Sequence, residues 1–157
     1  MAYKAVVSAK ARAKIGEILR NVAKKKGAFS LAMLVQTLPE VPDRWTLVVS
    51  APWADSLGSR SVIRDLSSFL NDYLDRNALS AIDRIAVRQS SDPVVQELVQ
   101  LVNNFLGVDV SKCQDGYHMW NLAIGGWSIP EGFIFVADPN ANGRSSTQAK
   151  ETHRALR

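Results

Sequence analysis

The sequence predicts an α/β (or α+β) domain built on a single mixed sheet of about five strands. Three observations carry this. Residues 45–89 read strand, helix, strand, the pattern of a βαβ unit with parallel strands. Two apolar runs near the C-terminus flank a turn and read as a β-hairpin. The first 26 residues read as an amphipathic basic helix. A length of 157 residues suits one domain with its own core.

The helix is expected over residues 5–26. Val7, Ala11, Ile15, Ile18, Leu19 and Val22 recur at helical spacing. Lys24, Lys25 and Lys26 suit the negative end of the helix dipole, and Gly27 suits a stop. Gly16 in the middle weakens it by roughly 1 kcal/mol relative to Ala. Residues 28–38 fit both a strand and a helix face. A strand is preferred because Gly27 has just closed a helix and the run is short. The stretch "LPEVPDR" then turns the chain directly into "WTLVVS", giving an antiparallel pair.

"WTLVVS", residues 45–50, is a β-branched apolar run suited to a strand buried on both faces. Residues 60–75 form a helix with Val62, Leu66, Phe69, Leu70, Tyr73 and Leu74 on one face. Residues 82–89 form the next strand. "SSDP" opens a helix over 93–106, with Asp92 or Ser91 as cap and Pro93 at the first helical position. The hairpin is expected at 118–127 and 132–138, with "SIPE" as its turn and Gly125-Gly126 as a bulge or a close backbone approach. Residues 1–137 are thus one globular domain, with the basic helix at 1–27. Residues 138–157 are too polar to offset their ordering entropy and are expected to be disordered or loosely helical.

The net charge of +4 is unevenly distributed. Residues 1–26 hold eight Lys/Arg against Glu17 alone, a balance of +7. Residues 27–137 hold seven basic and twelve acidic residues, a balance of −5, and residues 138–157 stand at +2. An acidic body with basic ends is not a uniformly basic nucleic-acid-binding core. No apolar run reaches bilayer-spanning length, so no transmembrane segment is expected. The one cysteine, Cys113, forbids an intramolecular disulfide. With no apolar signal core at the N-terminus, the expected location is cytoplasmic.

Ligands of such sheets bind beyond the carboxyl ends of parallel strands. The loops after residues 50 and 89 are therefore the first place to look. Trp53, Asp55, Ser59, Arg60, Arg88, Ser90, Ser91 and Asp92 are the candidate binding residues of one rim. Arg60 and a free helix N-terminus suit an anion. The competing reading makes Ser59 or Ser61 a cap and Trp53 a cover for the core. Neither GxxxxGK[ST], GxGxxG nor GxSxG occurs.

Candidate catalytic residues are Asp55 and Asp92 as acid/base groups or metal ligands, and Cys113 with His118 as nucleophile and base. Asp83 is a further acidic candidate. Cys113 and His118 lack the second pair that a zinc site needs, so no metal site and no cofactor are expected. Trp120 and Trp127 are an odd number apart and should point to opposite faces of a regular strand, unless a Gly125-Gly126 bulge brings them to the same face. One is then available to a partner.

The expected function is a binding or protein-interaction module, with a protein partner or small anionic ligand at the rim. A small hydrolase or nucleic-acid-processing enzyme on the same rim is the alternative. Nucleic-acid binding by the N-terminal helix is a third reading, and a homo-oligomer is compatible with all of them. The competing reading of that helix is a stripe packed on the sheet with its Lys paired to neighbouring acids.

Overall fold

The computed structural model describes residues 7–36 and 44–141. The expected tail therefore lies outside the described residues from 142 on. Ser8 accepts a hydrogen bond from the Ala11 amide at 3.1 Å and starts helix α1, Ala9–Lys26. Ile15, Ile18, Leu19 and Val22 are its buried stripe, as the periodicity predicts. Gly16 has a structural reason the sequence did not reveal. A Cβ there would stand 2.9 Å from the Gln114 carbonyl oxygen, so the helix approaches the backbone at Gln114 too closely for a side chain.

Strands β1, Leu31–Gln36, and β2, Trp45–Ser50, pair antiparallel, and every residue in both is buried. The ambiguous run at 28–38 is thus a strand. The crossover to the next strand holds three helices: α2, Pro52–Leu57; α3, Ser59–Tyr73; and α4, Arg76–Ala81. Strand β3, Ile82–Val87, then pairs parallel with β2. Helix α5, Pro93–Gln100, continues as a π-helical stretch, Leu101–Phe105, and a 3-10 turn follows at Val110–Lys112. Strands β4, Tyr117–Ile124, and β5, Trp127–Ala137, close the fold as an antiparallel pair. The five strands form one mixed sheet in the order β3-β2-β1-β5-β4. With five α-helices among the described residues, the class is α+β.

Two cores result, one on each face of the sheet. Ala32, Leu34, Leu47, Val49, Phe133 and Phe135 meet the apolar faces of α1 and α3. Leu31, Met33, Val35, Val48 and Ile134 meet Val95, Leu98 and Val99 of α5. The alternation along β1 and β2 is the period of two that a doubly covered strand requires.

Four expectations need correction. Residues 51–61 are not a plain loop: Pro52 at the first helical position starts α2, and Gly58, at φ +90°, separates α2 from α3. Neither Ser59 nor Ser61 caps α3. Gly58 is the N-cap residue and no side chain bonds there. The helix expected to run to residue 75 ends at Tyr73, because the Asp75 carboxylate accepts from the Ala78 amide at 2.8 Å and starts α4. Finally, the hairpin turns at Gly125-Gly126, not at "SIPE". Their φ values of +55° and +86° suit the two-residue turn that matches strand twist. Pro130 lies within β5, opposite Asn121, where the β4–β5 ladder passes from Trp120↔Glu131 to Leu122↔Ile129 without an intervening pair. A proline has no amide to lose there.

Leu34→Ala should lower stability by about 2–5 kcal/mol, since Leu34 is wholly buried in the α1/α3 core. Phe105→Ala, at a side chain 82% exposed, should change it by less than about 0.5 kcal/mol. Urea unfolding followed by circular dichroism measures both.

Candidate functional site

The pairings Leu31↔Ser50 and Leu31↔Ala137 put the carboxyl ends of β2 and β5 at one end of the sheet. β3 runs parallel to β2, so its carboxyl end lies there too. The rim expected from the sequence is at this end, but most of its residues are engaged with one another or with the core.

Trp53 leans edge-on against Phe29, with ring centroids 5.5 Å apart, and its indole Nε1 is buried without a partner. Asp55 accepts a hydrogen bond from the Ser90 amide at 3.1 Å and another from the Ser90 hydroxyl. It thereby ties α2 to the loop after β3. Asp92 does two jobs: Oδ1 accepts from the Val94 amide at 2.9 Å, capping α5, and Oδ2 pairs with Arg88 at 2.9 Å. Ser59 and Arg60 are exposed in the first turn of α3, and Ser91 is exposed in the turn before α5. The structure therefore brings Asp55 to Ser90 and Arg88 to Asp92. Asp83 stands at the opposite end of β3, paired with Arg44.

Cys113 follows the 3-10 turn and lines a cleft of about 470 Å³ with Gly16, Arg20 and Asp109. His118 does not bond to it. The His118 Nε2 lies 2.7 Å from Glu131, and the ring stacks on Phe133 at 4.5 Å. Among the described residues, no group of three His, Cys, Asp or Glu side chains is placed to hold a metal ion. The hydrogen bond from the Ser111 hydroxyl holds the Asp109 carboxyl below its ordinary value. Burial opposes this, and the Ser111 amide and Lys112 add to the lowering.

The basic helix packs its stripe as the sheet-packing reading requires, and several of its cations have local partners. Arg12 pairs with Asp115 at 3.4 Å and lies 4.0 Å from the centre of the Phe133 ring. Lys14 meets Glu17, Lys26 meets Asp65, and Lys25 lies over Phe69. No helix among the described residues is long and apolar enough to cross a membrane.

A different recess combines apolar walls with basic groups. On the α5 face, a groove of about 270 Å³ is lined by Val35, Thr46, Val48, Arg84, Ala86, Arg88, Trp127 and Ile129. Its walls are mostly apolar. The Arg88 guanidinium lies 4.8 Å from the centre of the Trp127 ring. Arg84 has no ion pair among the described residues. The Thr46 hydroxyl is buried with no hydrogen-bond partner, although Thr46 lines the groove. Such an orphan costs stability, as do the Ser50 hydroxyl and the Trp53 indole, which share its state. Trp120 projects from the other face beside His118 and is 61% exposed. Trp127 belongs to the α5-face core, so the two tryptophans point to opposite faces, but not by alternation along one strand. Trp120 lies on β4 and Trp127 on β5. β4 shifts its alternation at Asn121, φ +55°, so that Tyr117 and Met119 share that core with Leu122 and Ile124.

No family model, curated protein or solved structure matches this chain. The groove's chemistry is therefore read from its own residues. Arg88 was visible in the sequence as a rim residue. Arg84 was not, although the alternation Arg84-x-Ala86-x-Arg88 on a strand puts two guanidinium groups and a small residue on one face. Thr46 carries no signal until the tertiary contacts are known.

Asp55→Ala should destabilise the protein by about 1–3 kcal/mol, because the Ser90 amide loses its acceptor in a partly buried place. Ser59→Ala should be neutral within about 0.5 kcal/mol. Thermal and urea unfolding of the two variants check this. Asp109 titrates below the ordinary aspartate value of about 3.9, so its folded form favours the carboxylate. Its contribution is present above the unfolded value and is lost as pH falls through the lowered folded value. An NMR titration of its carboxyl carbon should show the lowered midpoint in the wild type and one closer to the ordinary value in Ser111→Ala, where the residue 111 amide and Lys112 remain.

Proposed function

We propose that the protein is a binding module for an anion with an apolar body, seated in the groove between Arg84, Arg88 and Trp127. The observation that carries this reading is an apolar recess bordered by two arginines, Arg84 and Arg88, with the Arg88 guanidinium over the Trp127 ring that forms one wall. Small-ligand sites have this composition: apolar walls with a few placed polar groups. The guanidinium fork suits carboxylate or phosphate. Arg88 already shares its charge with Asp92, so Arg84 supplies the net positive charge. The acid/base alternative has less support, since Asp55 and Asp92 are both engaged in holding the fold.

Octanoate is a suitable probe because it joins a carboxylate to an apolar chain that fits such a groove. Calorimetric titration should show saturable binding of octanoate and none of octylamine. Arg84→Gln should weaken octanoate by about tenfold, equivalent to ~1.4 kcal/mol. Equal binding of the two probes, or of wild type and Arg84→Gln, removes the reading.

A further inference from the structure

Strand β3 ends the sheet. Its inner edge pairs with β2, and among the described residues no strand pairs with its outer edge. Which backbone groups face outward is fixed by one hydrogen bond. The Arg88 amide donates to the Val49 carbonyl of β2 at 2.9 Å. Successive residues of a strand turn their amide and carbonyl to alternate sides, so Ala86 also faces β2. Ile85 and Val87 therefore present their N–H and C=O groups to the open edge.

Recesses flank this edge on both faces. On the α5 face lies the groove of Arg84, Ala86, Arg88 and Trp127. On the α3 face lies a cleft of about 500 Å³, whose apolar lining of Ile63, Leu70, Leu79, Ile82 and Ile85 is joined at the strand by Asp83 and Arg84. Arg84 borders both recesses; the α5-face groove adds Arg88, and the α3-face cleft adds Asp83 beside a majority of apolar residues. A strand laid along Ile85–Val87 would send successive side chains alternately to the two recesses.

We propose that the outer edge of β3 is a docking strand for an extended peptide segment of a protein partner whose side chains alternate between apolar and acidic. The apolar side chains enter the cleft beside α3 and α4, and the acidic ones reach Arg84 and Arg88. The outward amides and carbonyls of Ile85 and Val87 supply backbone hydrogen bonds, the affinity term of strand addition, while the two recesses supply specificity. The edge is guarded against indiscriminate pairing at its start, and Arg88 follows its end. At the start the register with β2 shifts between Trp45 and Thr46, and Asp83 and Arg84 are exposed and charged. No charge or register shift interrupts Ile85–Val87. The acidic half of this proposal rests on the reading of the Arg84–Arg88 groove as an anion seat; the apolar half and the backbone pairing do not.

The test uses the full chain and a labelled hexapeptide of alternating valine and glutamate, followed by fluorescence anisotropy. The peptide should bind saturably. The valine–lysine counterpart should bind about tenfold more weakly or worse, a loss of ~1.4 kcal/mol or more. The same should hold for a valine–glutamate peptide N-methylated at alternate amides, which tests the backbone bonds on an unaltered protein. Val87→Pro removes one outward amide without touching the ladder to β2. It should weaken the hexapeptide and leave octanoate binding unchanged. Octanoate binding without hexapeptide binding overturns the docking strand while the groove reading stands. Hexapeptide binding that ignores both N-methylation and charge reversal overturns the pairing. A dimer in sedimentation velocity that is lost in Val87→Pro assigns the edge to a second copy of this chain and overturns the peptide partner.

Discussion

The structure depends on β1 being buried on both faces at once. Leu31, Met33 and Val35 face one core while Ala32 and Leu34 face the other, so the strand cannot slip by one residue without exchanging the two sets. Its register with β2 on one edge and β5 on the other fixes the rest. β2 then orients β3 through a parallel pairing, and β5 carries β4. The basic groove exists because this arrangement leaves β3 at the margin of the α5 face, where α5 packs towards β4 and β5.

The loops at the carboxyl end of the parallel pair illustrate how polar residues near a sheet end divide between binding and building. Asp55 joins α2 to Ser90, and Asp92 caps α5 while holding Arg88. Arg88 in turn lies over Trp127 at the tip of the β4–β5 hairpin. These contacts connect the two halves of the sheet across its face. They also place the Arg88 guanidinium at the groove, so the rim contributes to the candidate site through what it positions.

Much of the architecture was legible because it follows from periodicity. The stripe of α1, the β-branched run of β2 and the Asp92-Pro93 start of α5 each follow from local rules that the tertiary structure does not override. The misreadings have equally local causes. Gly125-Gly126 and Pro130 both carry turn chemistry, and only the strand pairing decides which of them turns the chain. Helices α2 and α4 are six residues each, too short to show a period. Of the candidate site, Arg88 was legible from its place at a strand end, and Trp127 as an aromatic on one side of the hairpin. The Thr46 orphan was not, because it arises from what fails to stand opposite a hydroxyl once the sheet is assembled.

The pairing of β1 with β5 has a consequence for how the chain comes to be folded. The two partners lie about a hundred residues apart in the chain, so the loop they close is long and its entropy must be overcome before the pairing is rewarded. During synthesis β1 emerges about a hundred residues before β5. In that interval one edge of β1 has no partner, and the residues that later meet Phe133 and Ile134 have nothing to pack on. Folding of this domain is therefore completed only when β5 enters between β1 and β4.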